Sequence, residues 1–219
     1  MRKVILGSLG ALAMMVSSAA AEFEVSLYSG SQSLPHSRIT GDVAGAPVDN
    51  LIGWDGKSFE APPYYGGRLI YWRSDKFGFG IEGTHAKAYA PAAELPAELT
   101  GIEFTDGHNV ITINAHRRWS QAWARGRVSP YILGGIGIAV PHVDLQPSYA
   151  GAPHTFGYQF TGPAVRLGAG ASWAINDRWA VFGEYQFTWS DNEVEIDGGG
   201  TLQTEIKTNA LNIGLSMKF

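Results

Sequence analysis

The last segment of the chain, ALNIGLSMKF (Ala210–Phe219), decides the fold. Its odd-numbered positions carry Leu, Ile, Leu, Met and Phe, and its even-numbered positions carry Ala, Asn, Gly, Ser and Lys. Successive side chains of a β-strand point to opposite faces, so this strand has one apolar face and one polar or small face. A soluble sandwich would bury the apolar face. A barrel in a membrane turns it toward lipid and keeps the polar face in the lumen.

The start of the chain favours the membrane interpretation. Arg2 and Lys3 precede an apolar run, Val4–Val16, which ends in the small residues Ser17–Ala21. This order is typical of a secretory signal peptide, and we expect cleavage after Ala21. The run is too short for the roughly 20 apolar residues that a membrane helix needs. We therefore expect residues 1–21 to be removed and residues 22–219 to form one exported domain.

Composition excludes several classes of function. The chain has no Cys, which rules out disulfides, thiolate metal sites and Cys nucleophiles. Its formal net charge is −4, and loss of Arg2 and Lys3 makes it more negative. A nucleic acid is therefore not an expected partner.

Period-two alternation recurs through the exported part, and no helical periodicity competes with it. Most of these segments reach the roughly 9–11 residues that cross a bilayer at a tilt. The sequence predicts an all-β, transmembrane, antiparallel up-and-down β-barrel, whose even strand number closes the sheet. About eight strands are predicted, at Glu22–Gly30, Tyr64–Trp72, Phe77–Tyr89, His108–Trp119, Val128–Val140, Tyr158–Ala174, Trp179–Asp191 and Thr204–Phe219.

The connections between these strands alternate in length. Ser74–Lys76 and Asn176–Arg178 are tight, and Ser120–Gly126 is somewhat longer. In bacterial outer-membrane barrels short turns are periplasmic and long loops extracellular, so both termini are expected in the periplasm. Aromatic residues at the strand ends match the girdles of such barrels. The long connections are Ser31–Pro63, Ala90–Gly107, Pro141–Gly157 and Asn192–Gln203, and within the last of these Gly198–Gly200 predicts a hairpin turn.

Strand parity directs a set of polar side chains into the lumen. The interior of an eight-stranded barrel is just wide enough for side chains to fill it, and buried charges must be paired. We expect a structural network of ion pairs and hydrogen bonds, with a catalytic cluster as the less favoured alternative and no wide channel. The inward residues are Glu24, Arg68, Glu82, Asn114, His116, Arg166 and Glu184.

The ends of the strands and the long loops carry the histidines, carboxylates and cations that could bind a metal ion or catalyse a reaction. Histidine with carboxylates suits a divalent-metal site or general acid–base catalysis. The alternative is ordinary solvated loops whose acids bind ions that bridge to lipopolysaccharide phosphates. No strong metal spacing such as HExxH is present. The candidate bases or metal ligands are His36, His85, His108 and His142, the carboxylates are Asp55, Glu60, Glu103 and Asp106, and the cations are Arg38, Lys57 and Lys87.

Several strings resemble the bacterial lipid A oxidase family of outer-membrane barrels, and together they cover nearly all of the exported chain. They lie largely at the expected loop end, where barrel folding alone does not dictate sequence. The strings are PHSRITGD (Pro35–Asp42), LIGWDGKSFEAPPYYGGR (Leu51–Arg68), GTHAKAYAP (Gly83–Pro91), EFTDGHN (Glu103–Asn109), VPHVD (Val140–Asp144), FGYQFTGPAVR (Phe156–Arg166) and EYQFTWSDNEVEIDGGGTLQTEI (Glu184–Ile206).

The resemblance implies an activity. Such enzymes use molecular oxygen to convert the proximal glucosamine of 1-dephosphorylated lipid A to 2-aminogluconate. The implied partners are lipid A or lipopolysaccharide, outer-membrane lipids and the barrel assembly machinery, and the implied place is the bacterial outer membrane with the site at the extracellular rim. A divalent metal ion is a candidate cofactor, and no flavin or nicotinamide fingerprint is present.

Roles for single residues rest on position and chemistry instead. The catalytic candidates are the four histidines with Glu60 and Asp106. Asp55 and Glu103 are candidate metal ligands, and Lys57, Lys87 and Arg38 are candidates for holding a phosphate or the carboxylate product.

Three other functions remain open at this stage. The chain suits a non-enzymatic barrel that is structural, adhesive or lipopolysaccharide-binding. A lipid A deacylase or acyltransferase barrel is the second alternative, but adjacent pairs such as His36–Ser37 point to opposite faces of a strand. A channel for small hydrophobic solutes is the third, and it requires a lateral opening.

Overall fold

A computed structural model describes residues 22–219, with every side chain except those of Thr105 and Asp106. The expected signal peptide lies outside this range. The described chain forms twelve strands and two short 3-10 helices, Ala92–Glu94 and Ala124–Gly126. None of its helices has the length and apolar character needed to cross a membrane. The strands are β1 Glu22–Ser33, β2 Ser37–Val43, β3 Ala46–Ile52, β4 Tyr65–Trp72, β5 Phe77–Tyr89, β6 Leu99–Arg118, β7 Val128–Ala139, β8 His142–Pro147, β9 Thr155–Tyr158, β10 Gly162–Ala174, β11 Trp179–Glu195 and β12 Thr201–Lys218.

Eight of these strands form a closed ring in the order β1-β4-β5-β6-β7-β10-β11-β12. Every neighbouring pair is antiparallel, and β12 returns to β1 with Leu215 opposite Leu27. Closure leaves the ring without an exposed edge. The predicted eight-stranded up-and-down barrel is therefore confirmed. The strand predicted at Tyr158–Ala174 begins at Gly162 instead, because Tyr158 belongs to β9.

Alternation gives the ring its two surfaces. In β11 the side chains of Val181 and Tyr185 point outward, while Glu184 and Gln186 are buried in the lumen. The outer surface carries an apolar belt in which Ile113, Ile136 and Ile213 are 69%, 72% and 71% exposed. A soluble protein does not leave such a belt uncovered, so the apolar face is on the outside as the last strand predicts.

The ring has two different ends. At the short-turn end Arg73–Lys76 and Ile175–Arg178 close tight hairpins. At the long-loop end β5, β6, β11 and β12 continue past the ring. The turn at Gly198–Gly200 joins β11 to β12 with positive φ at all three glycines, which confirms the predicted hairpin turn.

Two connections predicted as long loops contain strands of their own. The hairpin of β2 and β3 pairs with the upper part of β12, and the hairpin of β8 and β9 pairs with the upper part of β6. Residues 99–107, also predicted as loop, belong to β6. The inward side chains of β2 and β3, such as Ile39 and Ile52, are fully buried, and this burial stabilises strands where a loop was expected.

The interior changes character along the barrel axis. Within the ring the lumen is lined by charged, amide and hydroxyl side chains. Beyond it the two hairpins and the extended strands enclose an apolar cluster. Its members are Leu34, Ile39, Val43, Val48, Ile52, Trp54, Ala88, Leu99, Ile102, Phe104, Val143, Leu145, Val194, Ile196, Leu202 and Ile206.

Candidate functional site on the outer wall

The middle of the lumen is filled by a buried ion-pair network. Arg68 donates through both terminal nitrogens to Glu184 at 2.8 and 2.6 Å. Glu82 lies 3.4 Å from both Arg68 and Arg166 and also accepts from Asn114 at 2.8 Å. Two cations and two carboxylates thus neutralise one another, as buried charges require. The predicted structural network is confirmed, and these groups are occupied with one another.

The long-loop end closes the lumen a second time. Trp54 and Phe104 stack with ring centroids 6.0 Å apart inside the apolar cluster. Phe104, Val143 and Leu145 are fully buried there. A molecule that approaches this end therefore meets the outer wall of the barrel rather than an open lumen.

That wall carries a row of polar groups, here called the outer-wall patch: Asp55, Lys57, Tyr89, Glu103, Asp144 and His154. The register places Asp55 opposite Tyr89, Tyr89 opposite Glu103, and Glu103 opposite Asp144. Their chain neighbours Ile102, Phe104, Val143 and Leu145 point into the apolar cluster, so strand alternation turns the patch outward.

Two contacts organise the patch. The Nε2 atom of His154 lies 2.7 Å from Oδ1 of Asp144. The Nζ atom of Lys57 lies 3.9 Å from the ring centroid of Tyr89. When Nε2–H donates to the carboxylate, Nδ1 of His154 is the basic nitrogen, which is the arrangement of an oriented general base.

The electrostatics of the patch centre on Glu103. Partial burial raises the pKa of its carboxyl, the negative charge of Asp144 on the next strand raises the same pKa further, and Lys57 opposes both effects. Glu103 is thus more easily protonated than an isolated Glu. The patch combines an imidazole, two neighbouring carboxylates and an ammonium group on one outward surface.

Some of the residues selected from the sequence meet here. Asp55, Lys57 and Glu103 belong to the patch, and Glu60 lies 3.8 Å from Lys57. His142 is two residues before Asp144 on β8 and also on the outer side. The rings of Phe156 and Tyr158 enclose it, with centroids 4.5 and 4.9 Å away.

His85 and Lys87 point outward from β5 but lie under other groups. His85 stacks on Tyr65 with ring centroids 5.0 Å apart, and its Nδ1 is 3.2 Å from Oδ1 of Asn109. The Nζ atom of Lys87 donates to the main-chain oxygens of Glu60 and Ala61 at 3.0 and 3.1 Å. Lys87 therefore fastens residues 59–62 to the wall.

The other selected residues lie elsewhere. His108 points inward, with Nε2 2.8 Å from Oγ of Ser190. Arg38 forms an ion pair with Asp49 across the β2–β3 hairpin, and His36 is exposed next to Gly53. The side chain of Asp106 is outside the described part. The four selected histidines do not form one cluster, and no three His, Cys, Asp or Glu side chains among those described are grouped to hold a metal ion.

Sequence reasoning missed the pairing of His154 with Asp144. Both residues were visible at the loop end, but nothing in their spacing shows that they meet. The contact depends on the β8–β9 hairpin, which places Asp144 opposite Phe156 and brings residue 154 back beside it. The alternation of buried and polar residues at Val143–Leu145 was the sequence signal from which this hairpin could have been predicted.

Comparison with solved structures shows the fold. The chain is 13% identical to Neisserial surface protein A. The two structures superpose with a TM-score of 0.50, and the match covers 90% of this chain and 97% of that one. For OprG of Pseudomonas aeruginosa the identity is 12% and the TM-score 0.44, covering 92% and 97%. For Ail of Yersinia pestis, in complex with the heparin analogue sucrose octasulfate, the values are 11% and 0.39, covering 91% and 99%.

Sequence comparison gives the family. No curated protein matches the chain. Residues 8–219 match the family described as outer membrane protein beta-barrel domain. The chain therefore belongs to the outer membrane protein beta-barrel domain family, which assigns it to the bacterial outer membrane.

Proposed function

We propose that this barrel is a lipid A oxidase whose site is the outer-wall patch, with the long-loop end facing the cell exterior. The resemblance of the seven quoted strings supports the activity. The observation that carries the site is the His154–Asp144 pair, which stands beside Glu103 and Lys57 on an outward surface. The patch lies beyond the apolar belt, a position that would bring it beside the sugars of an outer-leaflet glycolipid if the long-loop end faces the cell exterior.

Each group has a role in this proposal. His154 accepts the proton of the anomeric hydroxyl, and Asp144 orients the ring and stabilises the imidazolium. The ring of Phe156, whose centroid is 5.4 Å from that of His154, offers an apolar face to the sugar. Lys57 holds a phosphate of the substrate or the carboxylate of the product. Lys87 keeps the wall segment beneath Lys57 in place.

The reaction balances with oxygen as the oxidant. The O–H and C1–H bonds of the free anomeric position break and a C1=O bond forms, which gives a lactone. The two electrons and two protons that are released convert O2 to hydrogen peroxide. Water then opens the lactone to the acid, so the sugar gains one oxygen atom. Because the described side chains show no three-ligand group, no step in this scheme is assigned to a metal.

Mass spectrometry tests the proposal directly. The purified barrel is incubated with 1-dephosphorylated lipid A under oxygen, with and without EDTA, and the wild type should add one oxygen atom to the proximal sugar. His154→Ala and Asp144→Asn should lower the rate by about 10²–10⁴-fold, the range for loss of a general base. Asp49→Asn, an exposed carboxylate on the β2–β3 hairpin, is the matched control and should keep full activity.

Each outcome separates activity from site. Unmodified lipid A from a folded wild-type barrel would overturn the oxidase proposal and favour the non-enzymatic barrel. A change in acyl-chain mass would indicate a deacylase or acyltransferase. Full activity in His154→Ala, with loss in His85→Ala or His108→Ala, would move the site to the histidines selected from the sequence.

A further inference from the structure

The short-turn end of the barrel holds a chamber that the outer-wall patch does not use. Its volume is about 390 Å³, within the roughly 300–1,000 Å³ typical of small-molecule pockets. Trp72, Tyr131 and Phe182 line its walls, and Arg68 of the ion-pair network forms its inner end. The network and the apolar cluster close the lumen beyond it, so the chamber is blind and opens only between the short turns.

Small hydroxyl side chains create this space. Ser26 on β1 is paired in register with Ser216 on β12, and Ser129 on β7 is paired with Ser172 on β10. All four line the chamber. Larger residues at these inward positions would fill an eight-stranded barrel, as the middle of this lumen is filled. The two serine pairs instead leave a hollow with donor and acceptor groups on its walls.

The charges that line the chamber balance in number. Arg118 lies 3.0 Å from Glu22 and 3.6 Å from Glu24, and Lys218 lies 3.4 Å from Glu22. Asp75, Arg127 and Asp177 also line the mouth and are exposed to water. With Arg68 the lining carries four acidic and four basic side chains, so it has no net charge that would favour a strongly charged ligand.

Three polar atoms of lining residues lack a hydrogen-bond partner within the described chain: Nε2 of His116, Nε of Arg68 and the hydroxyl oxygen of Tyr131. All three are buried behind the chamber surface, so the serine hydroxyls are the polar groups that face the space. Ser172 and Ser216 donate to the main-chain oxygens of Ser129 and Ala180, which leaves their hydroxyl lone pairs free to accept. A ligand that donates hydrogen bonds would pair with these oxygens, and an apolar occupant would not.

We propose that the chamber binds a neutral, polyhydroxylated molecule no larger than a disaccharide. Hydroxyl groups of the ligand match the serine pairs, and its ring faces match the aromatic walls. The equal numbers of acidic and basic side chains in the lining give no strong selection for either sign of charge. The site is independent of the oxidase proposal, because it lies at the opposite end of a closed lumen.

Nuclear magnetic resonance tests this on the full barrel in a zwitterionic detergent, since detergents with sugar headgroups would compete. Glucose, maltose, gluconate and glucosamine are titrated in turn while the indole N–H signal of Trp72 and the amide signals of Ser129 and Ser172 are followed. Glucose or maltose should give saturable shifts with a Kd of about millimolar or tighter. Gluconate and glucosamine should bind at least about tenfold more weakly, which is about 1.4 kcal/mol.

Matched variants locate the binding. Ser172→Phe fills the chamber, and Ala171→Phe adds the same ring on the outer face of the same strand. Ser172→Phe should abolish the saturable shifts and Ala171→Phe should keep them. Ser129→Leu is a milder filling variant if Ser172→Phe does not fold, as judged by heat-modifiable gel mobility. Shifts that stay linear in sugar concentration, survive both filling variants, or are stronger for a charged analogue would overturn the proposal.

Discussion

The middle of the lumen and the interior of the long-loop end are built from the same strands but stabilised by different forces. Along β6 the inward residues pass from Asn114 and Thr112 in the ring to Phe104 and Ile102 beyond it. Along β12 they pass from Asn212 to Ile206 and Leu202. The walls are continuous while the interior changes from polar to apolar.

The surroundings explain the difference. Around the ring the outer surface faces lipid, so an apolar interior would gain little from leaving water, and directional ion pairs and hydrogen bonds specify the packing instead. Beyond the belt the outer surface is polar, with Glu193, Glu195 and Glu205 exposed to water. There the hydrophobic effect acts as in a soluble protein and favours an apolar interior. The interior of the barrel is thus polar where the outer surface faces lipid and apolar where the outer surface faces water.

The largest expected effect comes from breaking the polar interior. Glu82→Ala leaves Arg68 and Arg166 with one carboxylate between them in a closed lumen. Removal of one partner from a buried ion pair costs about 3–5 kcal/mol. Urea unfolding in lipid vesicles should therefore show a destabilised barrel. Glu205→Ala, an exposed carboxylate on β12, is the control, and equal stability of the two variants would contradict the role given to the network.

A mutation in the apolar interior should destabilise the long-loop end without destabilising the ring. Leu202→Ala removes a fully buried side chain from the apolar cluster, at a cost of about 2–5 kcal/mol. Since the ring closes without this region, we expect faster hydrogen exchange in β2, β3 and upper β12 while the ring amides stay protected. Leu211→Ala, on the outer face of the same strand, is the matched control. Uniform loss of protection over the whole barrel would show that the two regions unfold as one unit.

The smallest expected effect is a pH dependence of opposite sign at two carboxylates, the partly buried Glu103 and the exposed Glu205. Burial and Asp144 raise the pKa of Glu103, so the charged form is disfavoured in the folded state and stability falls as pH rises through the window between its unfolded and folded pKa values. Glu103→Gln should therefore slow local opening of β6 and β8 at about pH 8 and lose this advantage near pH 4.

Glu205 should behave in the opposite way. Its hydrogen bond from Lys207 lowers the pKa of the carboxyl, so the stability it contributes is present above the unfolded pKa and is lost as pH falls through the folded pKa. Glu205→Gln should slightly speed local opening of β12 at neutral pH. Hydrogen exchange measured at the two pH values checks both residues. If both substitutions changed the opening rate in the same direction, the two pKa shifts would not be the cause of the change in stability.

The sequence was sufficient for the ring because period-two alternation fixes each inward and outward side chain. Arg68, Glu82 and Glu184 were assigned to the lumen by parity alone, and their pairing followed from its narrow width. The hairpins at the long-loop end were missed because their alternating residues were counted as parts of long connections.

The residues of the candidate site were only partly predictable. Asp55, Lys57 and Glu103 were selected, but their meeting depends on a bridge between Asp55 and Tyr89 and on pairing of β6 with β8. The role of Lys87 depends on where residues 59–62 cross β5. The parity of β5, in which Glu82 is inward, indicates that His85 faces outward. The parity of β6, in which Asn114 is inward, indicates that His108 faces inward.

The uninterrupted pairing of β11 with β12 has a mechanical consequence. The two strands keep one register from Trp179 opposite Met217 to Glu195 opposite Thr201, whereas the pairing of β5 with β6 shifts between Ala86 and Ala88. A bilayer of different thickness changes the tilt that the apolar belt adopts, and the β11–β12 pair carries that rotation to the β2–β3 hairpin, which pairs with upper β12. The position of this hairpin is thus coupled to membrane thickness, which spin-label distances between β2 and β8 in lipids of different chain length would register.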